Sequence, residues 1–343
     1  MSESIQKTSM DPIYMLKFRR GGLFYLVNNI IDFLHIAERN NFQFDLKLED
    51  SLYQEDSRSG PVWNYYFEDI FDIDRSKTYP IYKYKIFRKN HLTAPRVKDG
   101  CMVPLLLPRN RELANSYIKK HIRLQPHIQE IINRCKEDFS IQQTIGLHIR
   151  GPGRLHGGMK EILKKLRVKN SVPFHIYFEH VDKYLNNCSD VKIFLCSDSQ
   201  MVIREFINKY GDRIITYDSS RRDYGEMHEL GPENNELEFS YYKLGEDVLV
   251  ETYLLAETEF LIHGNSNVSN FVLCLNPDLE HKYVFEEIET KIDWDAVHLN
   301  IEAENQKRRL RRKNRNQTVI ASLIWGKVIS KFYRFIRGVI RQI

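Results

Sequence analysis

The sequence predicts an α/β fold made of two successive regions, each built around a parallel sheet. In the first region a strand pattern at residues 12–18 is followed by a helix pattern at 23–37 and a strand pattern at 42–48. In the second region strand and helix patterns alternate from residue 144 to residue 275. Alternation of this kind is typical of β-α-β units, whose strands run parallel.

The first region contains a clear amphipathic helix after a pair of glycines. From Leu23 to Ala37 apolar residues recur at the spacing of one buried helix face. Residues 42–48 then alternate between apolar and polar, which predicts a strand. Gly21 and Gly22, which precede the helix, either make a tight turn or let a ligand approach the backbone.

Two further stretches complete the first region, which we place at residues 1–138. Residues 60–71 are rich in aromatic side chains. They either fill the core or form one wall of a cleft for an acceptor sugar, because tryptophan and tyrosine suit the faces of sugars. Residues 113–132 have the pattern of one long helix, which Pro126 should kink or break.

The second region, residues 139–303, repeats the alternation with polar loops after three of its strands. Strands are predicted at 145–149, 191–196, 213–217 and 260–263, and helices at 173–185, 201–210, 247–258 and 270–275. The polar loops are 148–158, 197–199, where Ser197-Asp198-Ser199 is a good helix N-cap, and 264–269. Because ligands of parallel sheets bind outside the carboxyl ends of the strands, we expect these loops to converge.

The first of these loops combines glycines with cations. It contains His148, Arg150, Arg154 and His156 among five glycines and prolines between residues 151 and 158. Arginine suits a diphosphate because its planar fork donates two hydrogen bonds and stays charged. A polar loop that only ends the strand is the alternative interpretation.

Composition predicts a folded protein of the cytoplasm. Of the 343 residues 42% are hydrophobic, and no apolar run is long enough to span a membrane. The first residues lack the pattern of a secretory signal. The five cysteines are scattered, which is typical of reduced thiols rather than of disulfides or a zinc site.

Residues 304–343 form a third, basic segment. Between residues 307 and 343 there are twelve lysines and arginines and no acidic residue, whereas the remaining chain holds 39 basic and 46 acidic residues. Apolar residues recur there at helical spacing, opposite a basic face. The pattern predicts an amphipathic helix that lies on an anionic membrane surface, or alternatively one packed on the protein body. Its broad apolar stripe argues against binding to nucleic acid.

Two nucleotide-binding (Rossmann-like) regions and a loop arginine indicate a nucleotide-sugar transferase. Two Asp-x-Asp pairs occur, at residues 72–74 and 293–295, but neither ends a predicted strand beside the arginine. We interpret both as chance matches, because so short a pattern is weak. Without a divalent cation, arginine, amides and a helix N-terminus must stabilise a departing nucleoside diphosphate.

His148-Ile-Arg150 resembles the HxR motif of the α1,6-, α1,2- and protein O-fucosyltransferases. The resemblance to the α1,6 group, which includes the core N-glycan and bacterial nodulation enzymes, covers residues 144–277. The matching segments are Phe174-His175 with its helix, residues 194–198, residues 251–261 and Ser266-Asn267. The Gly21-Gly22 turn is also similar to a glycine turn in the first domain of those enzymes.

This resemblance implies a GT-B fold, in which two Rossmann-like domains face each other across a cleft. It implies an inverting transfer from a GDP-fucose donor to a glycan or glycolipid, without a metal or other cofactor. Arg150 would bind the β-phosphate, His148 would lie against the nucleotide, and Glu251 would read the guanine edge. Asp198, Ser266 and Asn267 would complete the donor site.

The sequence departs from the family pattern after Arg150. Gly151 and Gly153 occupy the places of a second basic residue and an aspartate, and a candidate base would fall near Gly158. Deprotonating the acceptor hydroxyl requires a base within hydrogen-bond reach. Glu161 and His156 are the nearest substitutes, and Asp223 and Asp50 are further candidates.

Two other functions therefore stay open. The same fold could use another nucleotide sugar. The chain could also be a non-catalytic nucleotide- or glycan-binding protein that its tail anchors to a membrane.

Overall fold

A computed structural model provides the architecture of the protein. It describes residues 12–17, 21–48, 52–55, 57–81, 108–151, 165, 173–188, 190–222, 240–289, 291, 303 and 307. The predicted α/β class is confirmed, because helices alternate with parallel strands in both regions.

The first region opens with a β-α-β unit, as predicted. Strand β1 (Ile13–Lys17) and strand β2 (Gln43–Lys47) pair in parallel, with Ile13 opposite Gln43. Helix α1 (Leu23–Asn40) connects them and buries its apolar face, including Val27, Ile30 and Ile31 at 0% exposure. It ends at Asn41, whose left-handed conformation (φ 50°) is one that asparagine tolerates.

The aromatic stretch 60–71 belongs to the core and not to a cleft wall. Its central part is a 3-10 helix (Val62–Tyr65), followed by Tyr66 and Phe67, which are fully buried. Trp63 stacks on Phe67 with ring centroids 4.3 Å apart. The prediction that these rings could face an acceptor is therefore wrong, because packing against each other already consumes their surfaces.

Two helices, separated by residues 122–125, occupy the stretch where a single long helix was predicted. Helix α2 (Pro108–His121) and helix α3 (Pro126–Asp138) are separate. Pro126 is the first residue of α3, where its missing N–H costs no hydrogen bond. The expected break at Pro126 is confirmed.

The second region contains a five-stranded sheet in the order β5-β4-β3-β6-β7, with every adjacent pair parallel. The strands are β3 (Thr144–His148), β4 (Lys192–Cys196), β5 (Ile214–Ile215), β6 (Phe260–His263) and β7 (His281–Tyr283). The helices are α4 (Phe174–Leu185), α5 (Gln200–Tyr210), α6 (Tyr241–Leu255), α7 (Asn267–Leu275) and the short α8 (Glu286–Glu289). The buried central strand β3 ends at His148, so this residue marks the middle of the sheet edge.

Two helices begin earlier than the sequence pattern predicts, because serines cap them. Helix α6 begins at Tyr241 and not at Asp247, since the Ser240 hydroxyl accepts from the Lys243 N–H. Helix α7 begins at Asn267, where Ser266 caps it in the same way. The predicted strand at 213–217 is shorter, with only Ile214–Ile215 paired.

Helix α6 packs against the aromatic stretch of the first region through a glycine. Tyr66 stacks on Tyr242 at 5.4 Å and donates from its hydroxyl to the Tyr242 carbonyl at 2.9 Å. A Cβ at Gly245 would fall inside van der Waals contact with the Tyr66 ring. Glycine is therefore required in the middle of this helix by close packing, although it lowers helix propensity.

We expect Gly245→Ala to destabilise the protein by about 2 kcal/mol, because the buried Tyr66 ring must move. Urea unfolding followed by far-ultraviolet circular dichroism measures the change. Combining it with Tyr66→Leu should cost less than the sum of the two single changes. Helix propensity alone predicts the opposite, a gain of about 1 kcal/mol, and that gain would contradict the packing account.

Residues 1–96 and 101–292 form one compact unit, which includes the described parts of both regions. A second unit, residues 97–100 and 293–343, falls almost entirely outside the described residues, as does the predicted tail helix. The boundaries after residues 138 and 303 stay predictions. No helix among the described residues is long and apolar enough to cross a membrane.

Candidate functional site

The described parts of the predicted polar loops meet at the carboxyl edge of the five-stranded sheet. In the strand register His148 lies beside Cys196 on β4 and beside His263 on β6. The Ile149 N–H donates to the Cys196 carbonyl at 3.0 Å, and the Gly264 N–H faces the His148 carbonyl at 3.4 Å. Loops that are more than a hundred residues apart in the chain therefore start side by side.

These loops line a cavity of about 520 Å³, which we call the cleft. Its other wall comes from the first region, at the start of α1. All eight residues predicted to bind a donor lie on the cleft: Gly21, Gly22, His148, Arg150, Asp198, Glu251, Ser266 and Asn267. The structure thus brings the predicted set together between the two regions, whereas the role of each residue as a ligand contact stays a prediction.

Asp198 holds the loop that follows β3. Its carboxylate pairs with Arg150, with Nη1 to Oδ2 at 3.1 Å, and accepts from the Gly151 N–H at 2.8 Å. A Cβ at Gly151 would lie 2.6 Å from the Ser199 Cβ, so close contact between the two loops requires glycine there. The N-cap position of α5 is Ser199, and Asp198 is therefore not the helix cap that the sequence allowed.

Asp198 orients Arg150, the arginine on the described lining of the cleft. The Arg150 side chain is 36% exposed, so it is accessible to a ligand, and the carboxylate of Asp198 restricts its rotamers from one side. An arginine that is already positioned loses less conformational entropy when it binds a phosphate.

His148 is buried and uncharged. It is 7% exposed, and its Nδ1 lies 3.1 Å from the Ser269 hydroxyl and 3.4 Å from that of Ser266. Burial lowers the pKa of His148 to about 4. At neutral pH it therefore acts through hydrogen bonds and shape, and Arg150 supplies the positive charge.

Two helix N-termini border the cleft. Helix α7 begins beside it with Ser266 and Asn267, and α1 begins beside it at Gly22 and Leu23. Asn28 joins the two helices, because its Nδ2 donates to the Asn267 carbonyl at 3.1 Å. The positive ends of two helix dipoles next to an arginine favour an anion such as a diphosphate.

Glu251 forms the carboxylate end of the cleft. It is 8% exposed, and its Oε1 accepts from the Ser219 hydroxyl at 2.6 Å and lies 3.3 Å from Nη2 of Arg221. Burial raises the pKa of Glu251 to about 7, against the opposing effect of Arg221. In the described part of the chain both contacts are to Oε1, which leaves Oε2 for a ligand.

Sequence reasoning missed the loop that supports Glu251. Arg221 is nearly buried and donates to the carbonyls of Tyr217 at 2.6 Å and Ser219 at 3.2 Å. Asp247, one turn before Glu251 on α6, accepts from the Ser220 N–H at 2.8 Å. The available signal was the spacing of Asp247 and Glu251, which are four residues apart and therefore share a helix face. The sequence pattern instead begins the helix at Asp247.

The proposed bases are not located. His156, Glu161, Asp50 and Asp223 lie outside the described residues. Of the acids that line the described cleft, Asp198, Asp247 and Glu251, each is paired with a neighbouring group.

Neither Asp-x-Asp pair contributes to the described cleft. The Asp74 carboxylate accepts from Ser76 and pairs with Lys77 at 3.1 Å in an exposed turn. Asp293 and Asp295 lie outside the described residues. Within the described part of the chain, no group of three or more histidines, cysteines or acids could hold a metal ion.

Comparisons with known proteins give structural likenesses at low identity. No protein-family model and no curated protein matches the chain. The chain is similar to NodZ α-1,6-fucosyltransferase co-crystallised with GDP, with 18% identity and a TM-score of 0.49 over 78% of this chain and 93% of that one. It is also similar to fucosyltransferase NodZ from Bradyrhizobium, with 18% identity and a TM-score of 0.49 over 78% of this chain and 94% of that one. For POFUT1 in complex with GDP the identity is 10% and the TM-score is 0.44, over 80% of this chain and 98% of that one. At these identities and TM-scores the likenesses decide nothing about the activity of this chain.

Proposed function

We propose that the protein is a GT-B glycosyltransferase that transfers fucose from GDP-fucose to a hydroxyl of a glycan or glycolipid. One observation carries this proposal. The eight residues that the resemblance assigns to the donor, which are dispersed over more than a hundred positions, lie around a single cleft. A cation, two helix N-termini and a buried carboxylate on one cleft support the binding of a guanosine diphosphate.

The donor would bind with its diphosphate near Arg150 and its base near Glu251. An ionised carboxylate accepts from both N1–H and the 2-amino group of guanine, a pair of donors that uracil lacks. Ser219 and Arg221 contact Oε1 of Glu251 and thereby orient the carboxylate. Arg150 and the N-terminus of α7 would stabilise the charge that grows on the departing GDP.

Inversion and metal independence belong to the same proposal. Positive charge for the leaving group would come from Arg150 and the two helix N-termini, so the reaction would need no resident cation. The acceptor hydroxyl would attack the face of fucose opposite to GDP, and a base would remove its proton. No further cofactor is required by this displacement.

An assay of GDP release tests the proposed reaction. The full chain is incubated with GDP-fucose, with and without a cell-envelope glycan extract, and the released GDP and the labelled fucose in the glycan are both measured. The proposal expects equal amounts of each product, and neither UDP nor transferred glucose when UDP-glucose is the donor. Release of GDP with no sugar in any acceptor would contradict the transferase.

Affinity for GDP is expected to fall about tenfold between pH 8 and pH 6. Burial raises the pKa of Glu251 to about 7, so roughly 90% of the carboxylate is ionised at pH 8 and 10% at pH 6. Isothermal titration calorimetry measures the affinity for GDP at each pH. The pH dependence that remains in Glu251→Gln is the part that arises from titration of the GDP phosphates. Identical pH profiles for the two proteins would contradict the role of Glu251.

The unliganded protein should respond to pH with the opposite sign. Because the pKa of Glu251 is raised from 4.5 to about 7 on folding, ionisation of this group opposes the folded state. Its contribution to the free energy of unfolding therefore decreases as the pH rises through that interval and is constant above it.

A non-catalytic nucleotide-binding protein is the second candidate. The observation that favours it is the pairing of every acid that lines the described cleft, together with glycine at position 151. Such a protein would bind GDP with the same dependence on Arg150 and Glu251 but would release no sugar.

We also propose that residues 307–343 hold the protein on the cytoplasmic face of an anionic membrane. The support is their twelve basic residues and the helical spacing of their apolar residues. We expect the full chain to float with vesicles that contain 30% phosphatidylglycerol, and a chain ending at Gln306 to stay in the soluble fraction. Equal flotation of both would contradict the anchor, and neutral phosphatidylcholine vesicles are the control.

A further inference from the structure

The cleft wall that comes from the first region bears an aromatic ring with no assigned role. Among the described residues of this wall Leu23, Phe24, Leu52 and Tyr53 are each at most 5% exposed. Tyr25, on the first turn of α1, is 46% exposed. It is therefore the side chain through which the described part of this wall can offer apolar surface to a ligand.

Gly21 supports the ring of Tyr25 from beneath. A Cβ at Gly21 would lie 2.6 Å from Cδ1 and 3.1 Å from Cε1 of Tyr25. The ring thus packs directly against the backbone of Gly21. Any larger residue at position 21 would displace the ring. Glycine before this helix makes room for the ring, so a larger residue at position 21 would move the exposed part of Tyr25.

The chemistry of Tyr25 differs from that of the donor residues. Arg150 and the helix N-termini suit phosphates, and Glu251 suits a base with two adjacent donors. Tyr25 carries no charge and presents an apolar ring with a polar hydroxyl at its edge. A pyranose matches it, because one face of the sugar is made of C–H groups and its rim carries hydroxyls.

We propose that Tyr25 binds the acceptor by stacking on a neutral pyranose ring of a glycan. The proposal rests on the function proposed above, since it assigns the acceptor class to the same cleft. It places the acceptor beside the first turn of α1, on the cleft wall that the first region contributes. It also favours a sugar over a peptide or a lipid headgroup as the group that is modified.

Binding of neutral oligosaccharides tests the proposal separately from donor binding. Saturation-transfer NMR with lactose, maltotetraose and cellotetraose is recorded with the full chain at saturating GDP. The variants are Tyr25→Ala, Tyr25→Phe and Ile207→Ala. Ile207 is a matched control, because it is equally exposed (46%) but lies on α5 and not on the cleft. Calorimetry measures the Kd for GDP of each protein.

We expect at least one oligosaccharide to bind, and Tyr25→Ala to raise its Kd about tenfold. Tyr25→Phe and Ile207→Ala should stay within about twofold of the wild type, and so should the Kd for GDP of all variants. The proposal is overturned if none of the sugars binds or if Tyr25→Ala binds them normally. It is also overturned if Tyr25→Ala weakens GDP about tenfold, since the ring would then stack on the guanine. Failure of the wild type to bind GDP identifies failure of the proposed function itself and removes both proposals.

Discussion

Arg150→Ala is expected to lower kcat for GDP release from GDP-fucose by about 10²–10³-fold, as removal of one transition-state donor does in other enzymes. The guanidinium is accessible at the cleft, and Asp198 holds it at 3.1 Å. It should contribute most when the bond to the sugar breaks and negative charge develops on the diphosphate. Affinity for GDP should decrease less than kcat does.

Arg150→Lys should recover only part of the loss, because an ammonium group lacks the planar fork that grips two oxygens. Arg75→Ala is the matched control. Its side chain is 37% exposed and pairs with Asp45 at 3.2 Å and with Asp69 at 2.7 Å, and it is not part of the cleft. Arg150→Ala should unfold within about 1 kcal/mol of the wild type, since exposed ion pairs contribute little. A wild-type value of kcat in Arg150→Ala would contradict the role of Arg150 in stabilising the departing diphosphate.

Glu251→Ala is expected to weaken GDP binding by about 10²-fold or more, because two hydrogen bonds to a charged acceptor are lost. The affinity for UDP should change little, so the variant loses its preference for guanine. Calorimetric titration with both nucleotides measures this preference. A normal GDP to UDP ratio in the variant would show that another group reads the base.

Glu246→Gln provides the control for Glu251. Both glutamates lie on α6 and are 8% exposed, but Glu246 faces Lys243 and Tyr242 outside the cleft. Its substitution should affect stability and leave nucleotide preference intact. A comparable loss of GDP affinity in both variants would indicate damage to the helix and not to a binding contact.

The regular elements could be predicted because their signals are local. Apolar spacing in α1 and the β-type runs of β3, β4 and β6 locate the helix and the strands within a few residues. The rule that ligands bind at the carboxyl ends of parallel strands then brings His148, Asp198 and Ser266 to one place. No long-range information was needed for that step.

Other features depend on contacts that no local pattern contains. Tyr66 is buried because Gly245 admits its ring, and the two residues are far apart in the chain. Asp198 follows the pattern of a helix cap but pairs with Arg150, which can be seen only after β3 and β4 are aligned. Arg221 lies in an irregular loop, so neither its burial nor its pairing with Glu251 was predictable.

The central claim is that the cleft binds a guanosine diphosphate sugar. Calorimetric titration of the full chain with GDP, UDP, ADP and GDP-fucose tests it most directly. We predict that GDP and GDP-fucose bind at least about tenfold more tightly than UDP or ADP, and that Glu251→Ala removes this difference. Equal or tighter binding of UDP, or no binding of any of the four, would contradict the account.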